Sequence, residues 1–210
     1  MFFSLDGIDG GGKSTQLDLF CSWLRESGHD VVICRDPGTT QLGEAIRDIL
    51  LTKHDIDMAR CSEMLLYMAA RAQLVAEIVQ PALSAGKVVV SDRYSLANVV
   101  YQGYGGQLDV DTIWKVGRIA TGGLLPDLTI VLDMDVRVAV ERIQRDMDRM
   151  ESQGDEFAQR VRRGYLTEAG RDPDRIIVID AAREIEQVQF DIRAAASKAL
   201  LPANNNQQSD

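Results

Sequence analysis

Gly7-Ile8-Asp9-Gly10-Gly11-Gly12-Lys13-Ser14, near the start of the chain, decides how everything after it is read. It fits G-x-x-x-x-G-K-[ST], in which glycines let main-chain N–H groups curl around a phosphate without Cβ clashes. Lys13 would supply a point charge for β- and γ-phosphates, and the Ser14 hydroxyl a ligand for Mg²⁺. Phe2-Phe3-Ser4-Leu5 ahead of it is a short apolar run suited to a buried strand. Behind it Leu17, Phe20, Cys21 and Leu24 recur at i, i+3, i+4 and i+7, one face of a helix. Strand, glycine-rich loop and helix N-terminus together cradle an anion, so the chain is expected to bind a nucleoside triphosphate.

Composition bounds what else the chain can be. With 210 residues, 45% apolar and 26% charged, it has the balance of one domain with a substantial core. The net charge of −9 argues against a nucleic-acid polymer as partner, since such proteins carry a basic excess. Cys21, Cys34 and Cys61 show no metal-like spacing, and an odd number closes no disulfide framework. No stretch approaches the roughly 18 apolar residues of a membrane span. The first strand begins at once, leaving no room for a signal peptide, and a reducing cytoplasm is the expected home.

Apolar patterning yields alternating elements. Strands are expected at Phe2–Leu5, Val31–Cys34, Val88–Val90, Leu128–Leu132 and Arg175–Ile179. Between them fall helical patterns, among them a long helix from Cys61 to Gln80 and another carrying Val136, Val140, Ile143 and Met147. Ser95 to Val100 reads as helical, and Gly103-Tyr104-Gly105-Gly106 as a flexible loop. Five strands alternating with helices predict an α/β fold, a five-stranded parallel sheet with helices on both faces. Residues 1–200 are expected to form one domain, with a lid around 142–155, and 201–210 a disordered tail with nothing to bury.

Asp92-Arg93 follows the third strand, where the ligand crevice of an open parallel sheet lies. Asp92 there could act near Mg²⁺-bound water and Arg93 near phosphate, or the two could form a surface turn. Arg142, Arg145 and Arg149 recur at i, i+3 and i+7, which on a helix makes one face. That face is either solvated or a mobile lid whose guanidiniums neutralise a transferring phosphoryl group.

Several stretches jointly resemble the thymidylate kinase family of P-loop nucleoside monophosphate kinases. They are Gly7 to Thr15, Arg35-Asp36-Pro37-Gly38, Tyr67-Met-Ala-Ala-Arg71-Ala-Gln73, Asp92-Arg93-Tyr94 and Tyr101-Gln102-Gly103. Pro126-Asp127-Leu128, Asp148-Arg149 and Arg162-Arg163-Gly164-Tyr165 extend the match to about Leu200. The resemblance implies ATP- and Mg²⁺-dependent phosphorylation of dTMP to dTDP, in the supply of dTTP, by a homodimer. It implies that Gly7, Asp9, Gly10, Gly11, Gly12, Lys13, Ser14 and Thr15 hold ATP, with Ser14 and Asp92 at the metal. Tyr67 takes the place that stacks on thymine, and Arg71 and Asn98 places that contact the base or its surroundings. Arg93 matches the arginine that grips the acceptor phosphate, approached by the loop with Arg35 and Pro37. Asp9 matches an acid near the sugar and Arg93. Tyr101, followed by Gln102, matches the ring that crowds the sugar's 2′ side. Lys13, Arg93, Asp9, Arg145 and Arg149 form the implied catalytic set. The family commonly has Glu at Asp6, Ala at Gly11 and Glu at Asp36.

The alternative reading is a deoxynucleoside kinase, which shares the loop, the Asp-Arg turn and the arginines. It needs a carboxylate base for a neutral 5′-hydroxyl. A regulatory GTPase needs an Asn-Lys-x-Asp guanine reader, which the chain lacks.

Overall fold

The computed structural model describes residues 1–52, 56–143 and 146–201. Strand β1 (Phe2–Gly7) is buried throughout, as a strand covered on both faces must be. It pairs in parallel with β3 (Val88–Asp92) and β4 (Leu128–Asp133). Beyond these lie β2 (Val31–Arg35) and β5 (Ile176–Asp180), giving the order β2-β3-β1-β4-β5, all parallel. The outer strands are less covered, and Ile33 and Val178 reach solvent. The carboxyl ends of β1 and β3 thus lie side by side, with Leu5 level with Asp92. This is where an open parallel sheet binds ligands.

Helix α1 (Lys13–Glu26) buries Leu17, Phe20, Cys21 and Leu24, the face its spacing predicts, and Phe20 meets Phe3 edge-on at 5.3 Å. Cys21 and Cys34 are buried thiols, pushed by burial up to about 11 and about 12. Helix α2 (Gln41–Leu51) is capped by Thr40, whose Oγ1 accepts from Gly43 N at 2.9 Å. The long helix expected at 61–80 runs further: α3 (Arg60–Leu74) passes through a wide π-turn at Val75–Val79 into α4 (Gln80–Ser84). The wide turn falls just ahead of Pro81, whose ring would clash with the Glu77 carbonyl in an unbroken α-helix.

Two expectations are corrected. Gly103 to Gly106 is not a flexible loop. Helix α5 (Ser95–Asn98) continues as a π-helical segment, Val99–Gly105, in which Gly103 and Gly105 are buried. A Cβ on Gly105 would stand 2.6 Å from the Phe157 ring, so this glycine serves close packing against α8 (Asp155–Arg171), not mobility. Second, α7 (Val136–Glu141) ends before the arginines it was expected to carry, because Asp146 to Asp148 is not helical. Arg142 and Arg149 therefore share no helical face. Arg145 lies outside the described residues, as does the expected tail from 202 onward.

Helix α6 (Val110–Thr121) packs against α3, and α9 (Ile185–Leu200) against α1. Among the described residues no helix is long and apolar enough to cross a membrane.

Candidate active site

Two adjoining cavities open at the carboxyl ends of β1 and β3. The larger, about 780 Å³, is a groove along the glycine-rich loop. Gly10, Gly11, Gly12, Lys13, Ser14 and Thr15 line one side, with Arg142 and Arg183 opposite. Gly7 ends β1 beneath it, its carbonyl turned inward. Gly10 has φ +79°, and a Cβ there would lie 2.0 Å from the Ala139 carbonyl, so the loop can cross α7 this closely only with glycine. Gly11 is under a weaker constraint: its φ is not positive, and a methyl would meet the Ile8 carbonyl at 3.0 Å, a tight contact that needs a small shift of the loop.

Lys13 is folded back onto this loop. Its Nζ donates to the Ile8 carbonyl at 2.9 Å and the Gly7 carbonyl at 3.2 Å, and reaches Asp9 at 3.4 Å. Burial and the nearby Arg93 lower its pKa. Asp92 and Ser14 both line the groove, and Asp92 Oδ1 is buried with no hydrogen-bond partner. Among the described residues no three His, Cys, Asp or Glu side chains cluster around a metal site. An orphaned carboxylate oxygen in the same groove as a hydroxyl suits Mg²⁺, a hard cation that keeps several waters and takes few protein ligands.

The second cavity is a slot of about 100 Å³ lined by Pro37, Tyr67, Arg71, Asn98, Tyr101 and Gln102, among others. Asp9, Asp36, Arg47 and Arg93 border both cavities. At that junction Arg93 has φ +66°, an uncommon conformation for a side-chain-bearing residue. Its guanidinium pairs with Asp9, donates to the Gly7 carbonyl at 3.1 Å and the Tyr165 hydroxyl at 3.3 Å, and lies 4.9 Å over the Tyr101 ring. Burial alone would raise the Asp9 carboxyl. Arg93, Lys13 and the Tyr101 hydroxyl, which donates to Oδ2 at 3.0 Å, outweigh that and hold it well below the usual carboxylate range. Beneath them Asp6 behaves oppositely: burial pushes its carboxyl up to about 6, despite the hydrogen bond from Ser4 at 2.5 Å.

The slot's floor is a row of buried polar side chains. Arg71 pairs with Asp36 and donates to Asn98 Oδ1 at 3.0 Å. Asn98 Nδ2 donates to Gln102 Oε1 at 2.6 Å, and Gln102 Nε2 to Glu63 Oε1 at 2.9 Å. Tyr67 flanks the slot, its phenol raised by burial.

Two residues lie elsewhere than sequence reasoning suggests. Arg35 is half exposed, pairs with Glu44 at 2.7 Å and borders the groove rather than the slot. Arg149 does not face the glycine-rich loop. It donates to Glu63 Oε2 at 2.5 Å and the Leu50 carbonyl at 2.6 Å, on the acceptor side. Arg47 and Glu63 escaped sequence reasoning altogether. Arg47 donates to the Pro37 carbonyl at 2.9 Å and reaches both cavities, but in the chain it is one charge on an amphipathic helix.

Comparison with known proteins agrees with this geometry. A family model described as thymidylate kinase matches residues 5–192. The thymidylate kinase of Kosmotoga olearia is 45% identical over 190 residues, covering 90% of this chain and 91% of that one. That of Pseudomonas putida is 44% identical over 204 residues, covering 96% and 95%. The crystal structure of the Ehrlichia chaffeensis thymidylate kinase superposes with a TM-score of 0.77 at 30% identity, covering 93% of this chain and 98% of that one. With the loop, the sheet order and the junction arginine in the arrangement described, this chain belongs to the thymidylate kinase family.

Proposed function

We infer that this protein transfers the terminal phosphoryl group of ATP to dTMP, giving ADP and dTDP, in the supply of dTTP for DNA synthesis. The observation that carries the reading is Arg93, held by Asp9, Gly7 and Tyr101 where the phosphate groove meets a slot lined by Tyr67, Arg71 and Asn98. ATP lies along Gly10 to Thr15. The thymine ring enters the slot beside Tyr67, and Arg71, Asn98 and Gln102 face its polar edge. The acceptor phosphate then lies at the junction, where Arg93 and Arg47 are the nearest cations. An oxygen of that phosphate forms the new bond to the γ-phosphorus as the bond to the β–γ bridging oxygen breaks. The attacking oxygen is already anionic, so no strong base is needed, and catalysis is alignment plus neutralisation of charge. Lys13, released from its own loop by incoming phosphates, supplies one cation. Ser14 and Asp92 would hold Mg²⁺, which would supply positive charge against the phosphates when bound.

The family match speaks against the nucleoside kinase alternative. A 5′-hydroxyl needs a carboxylate poised to take a proton. Asp9 is already claimed by Arg93, Lys13 and Tyr101 and held below the usual range; Asp36 is paired with Arg71 through one oxygen and keeps the other without a partner, its carboxyl raised by burial. Residues 1–200 act as one kinase domain, with 142–155 as a lid whose first residue, Arg142, lines the groove. A homodimer in the cytoplasm, with no nucleic-acid polymer as partner, completes the proposal. ADP release should be measured with dTMP, dCMP, dGMP and thymidine as acceptors. dTMP is expected to lead, and a preference for thymidine would overturn the reading.

A further inference from the structure

Direction in the slot's polar floor is fixed by its ends. The Arg71 guanidinium can only donate and the Glu63 carboxylate can only accept. Asn98 must therefore turn Oδ1 to Arg71 and Nδ2 to Gln102, and Gln102 must turn Oε1 to Asn98 and Nε2 to Glu63. Each amide keeps a second N–H and a second lone pair, so this direction decides what a base meets in the slot.

Glu63 is 1% exposed, and its other oxygen accepts from Arg149. Arg149 fastens its own segment to the end of α2, with its side chain on the Leu50 carbonyl and its N–H on the Leu51 carbonyl at 3.1 Å. Its neighbours Asp148 and Met150 line the slot. One carboxylate thus holds both the amide row under the slot and the segment on its rim.

We propose that Glu63 is a positioning residue for acceptor selectivity, tying the orientation of the Gln102 amide to the seating of Asp148–Met150. The inference rests on the slot receiving the base of dTMP. A carboxylate serves two donors with two oxygens, whereas a glutamine side chain offers one acceptor oxygen to the same two donors. In E63Q one of those two oxygens becomes an NH₂, so either Gln102 or Arg149 meets a donor where it had an acceptor. A Gln102 amide freed at that end can turn over and present the reversed donor and acceptor pattern that cytosine requires.

The test is steady-state kinetics of wild type, E63Q, E63D and R149Q with dTMP and dCMP. In E63Q, kcat/KM for dTMP should fall about 10-fold to 100-fold, as expected for a lost hydrogen bond to a charged group, mainly through KM. dCMP should fall less, so selectivity narrows, while KM for ATP stays unchanged. E63D keeps a carboxylate and should recover part of the selectivity. R149Q, which leaves Glu63 in place, should narrow selectivity from the rim side and keeps the test decisive if E63Q fails to fold. Equal losses for both acceptors in E63Q, or full selectivity in R149Q, would overturn the proposal alone. A wild type that does not distinguish dTMP from dCMP would overturn it together with the slot assignment.

Discussion

The groove and the slot are neighbours built on different plans. The groove is wide, and one wall is six consecutive residues whose backbone does much of the work, with Lys13 resting on the carbonyls of Gly7 and Ile8. The slot is narrow, and its charges come in pairs from distant elements: Asp36 with Arg71, Glu63 with Arg149, Asp9 with Arg93. A phosphate looks alike from every side, so a local loop of N–H groups and one ammonium can hold it. A base edge has a fixed order of donors and acceptors, and matching it takes oriented side chains held by other side chains. Substitutions in the groove should therefore act on turnover, and those around the slot on selectivity and acceptor affinity.

The largest effect is expected from Lys13→Ala. In the proposed scheme it removes a cation that acts on developing charge, and losses of that kind run to about 10²–10³-fold in kcat. Lys13 does not line the slot, so KM for dTMP should hold. A parallel collapse of dTMP affinity, measured by calorimetry, would show that the two cavities are not separable as described.

The next test concerns Asp6, beneath the groove, whose carboxyl lies at about 6 against an ordinary 3.8. The folded state keeps a proton there that the unfolded chain has already released. Stability should therefore fall as pH rises from about 4 to 6 and stay lower above that, a cost of about 3 kcal/mol. Asp9 has the opposite sign: its depressed carboxyl contributes stability at neutral pH that is lost only as pH falls below about 4. Urea unfolding of wild type and Asp6→Asn from pH 4 to 8 separates them. The variant should lack the decline between 4 and 6, and parallel curves would remove Asp6 from the account.

Arg93→Lys probes the junction, where the two plans meet. Charge survives, but the fork that reaches Asp9, Gly7 and Tyr165 together does not, nor does the flat face over Tyr101. A loss of roughly 1.5–3 kcal/mol is expected in kcat/KM for dTMP. Separate titrations with dTMP and an ATP analogue locate it. If ATP affinity collapses while dTMP affinity holds, Arg93 serves the donor side.

What could be read from the chain follows the same division. Gly7 to Thr15 is contiguous, so its chemistry shows in the order of its residues, and the buried strands show as apolar runs. The slot draws on α2, α3, α5, the π-helical segment and the 148–150 loop, and no spacing rule links Glu63 to Gln102 or Arg149. Family resemblance could point to Tyr67, Arg71 and Asn98, but Arg47 and Glu63 were indistinguishable from surface charges. The glycines at 103 and 105 misled because tight packing and flexibility call for the same residue. The arginine spacing after Val136 misled because helical periodicity has meaning only while the helix lasts, and α7 stops at Glu141.

The smallest expected effect comes from a residue that touches no substrate in the proposed scheme. Thr40 caps α2, its hydroxyl accepting from Gly43 N, and the first turns of that helix hold Glu44 on Thr39 and Arg35 and carry Arg47 to the Pro37 carbonyl. Thr40→Ala removes the acceptor and leaves a buried N–H unpaired, costing about 1 kcal/mol. In a chain of this size that lowers Tm by about 2–4 °C. The loss should not be felt evenly. Pro37 borders the slot and Arg47 both cavities, whereas Gly10 to Thr15 sit between β1 and α1 and cross α7 at Gly10. Fraying of α2 should therefore raise KM for dTMP more than KM for ATP and leave the effect of Lys13→Ala unchanged. Combining Thr40→Ala with Lys13→Ala gives the sharpest reading. Additive losses in kcat/KM mean the two sides are built independently, as distant sites without shared partners should be. A clear departure from additivity would mean that α2 and the phosphate loop communicate, through Asp36 and Arg93 at the junction, and that the groove is less self-contained than its contiguous sequence suggests.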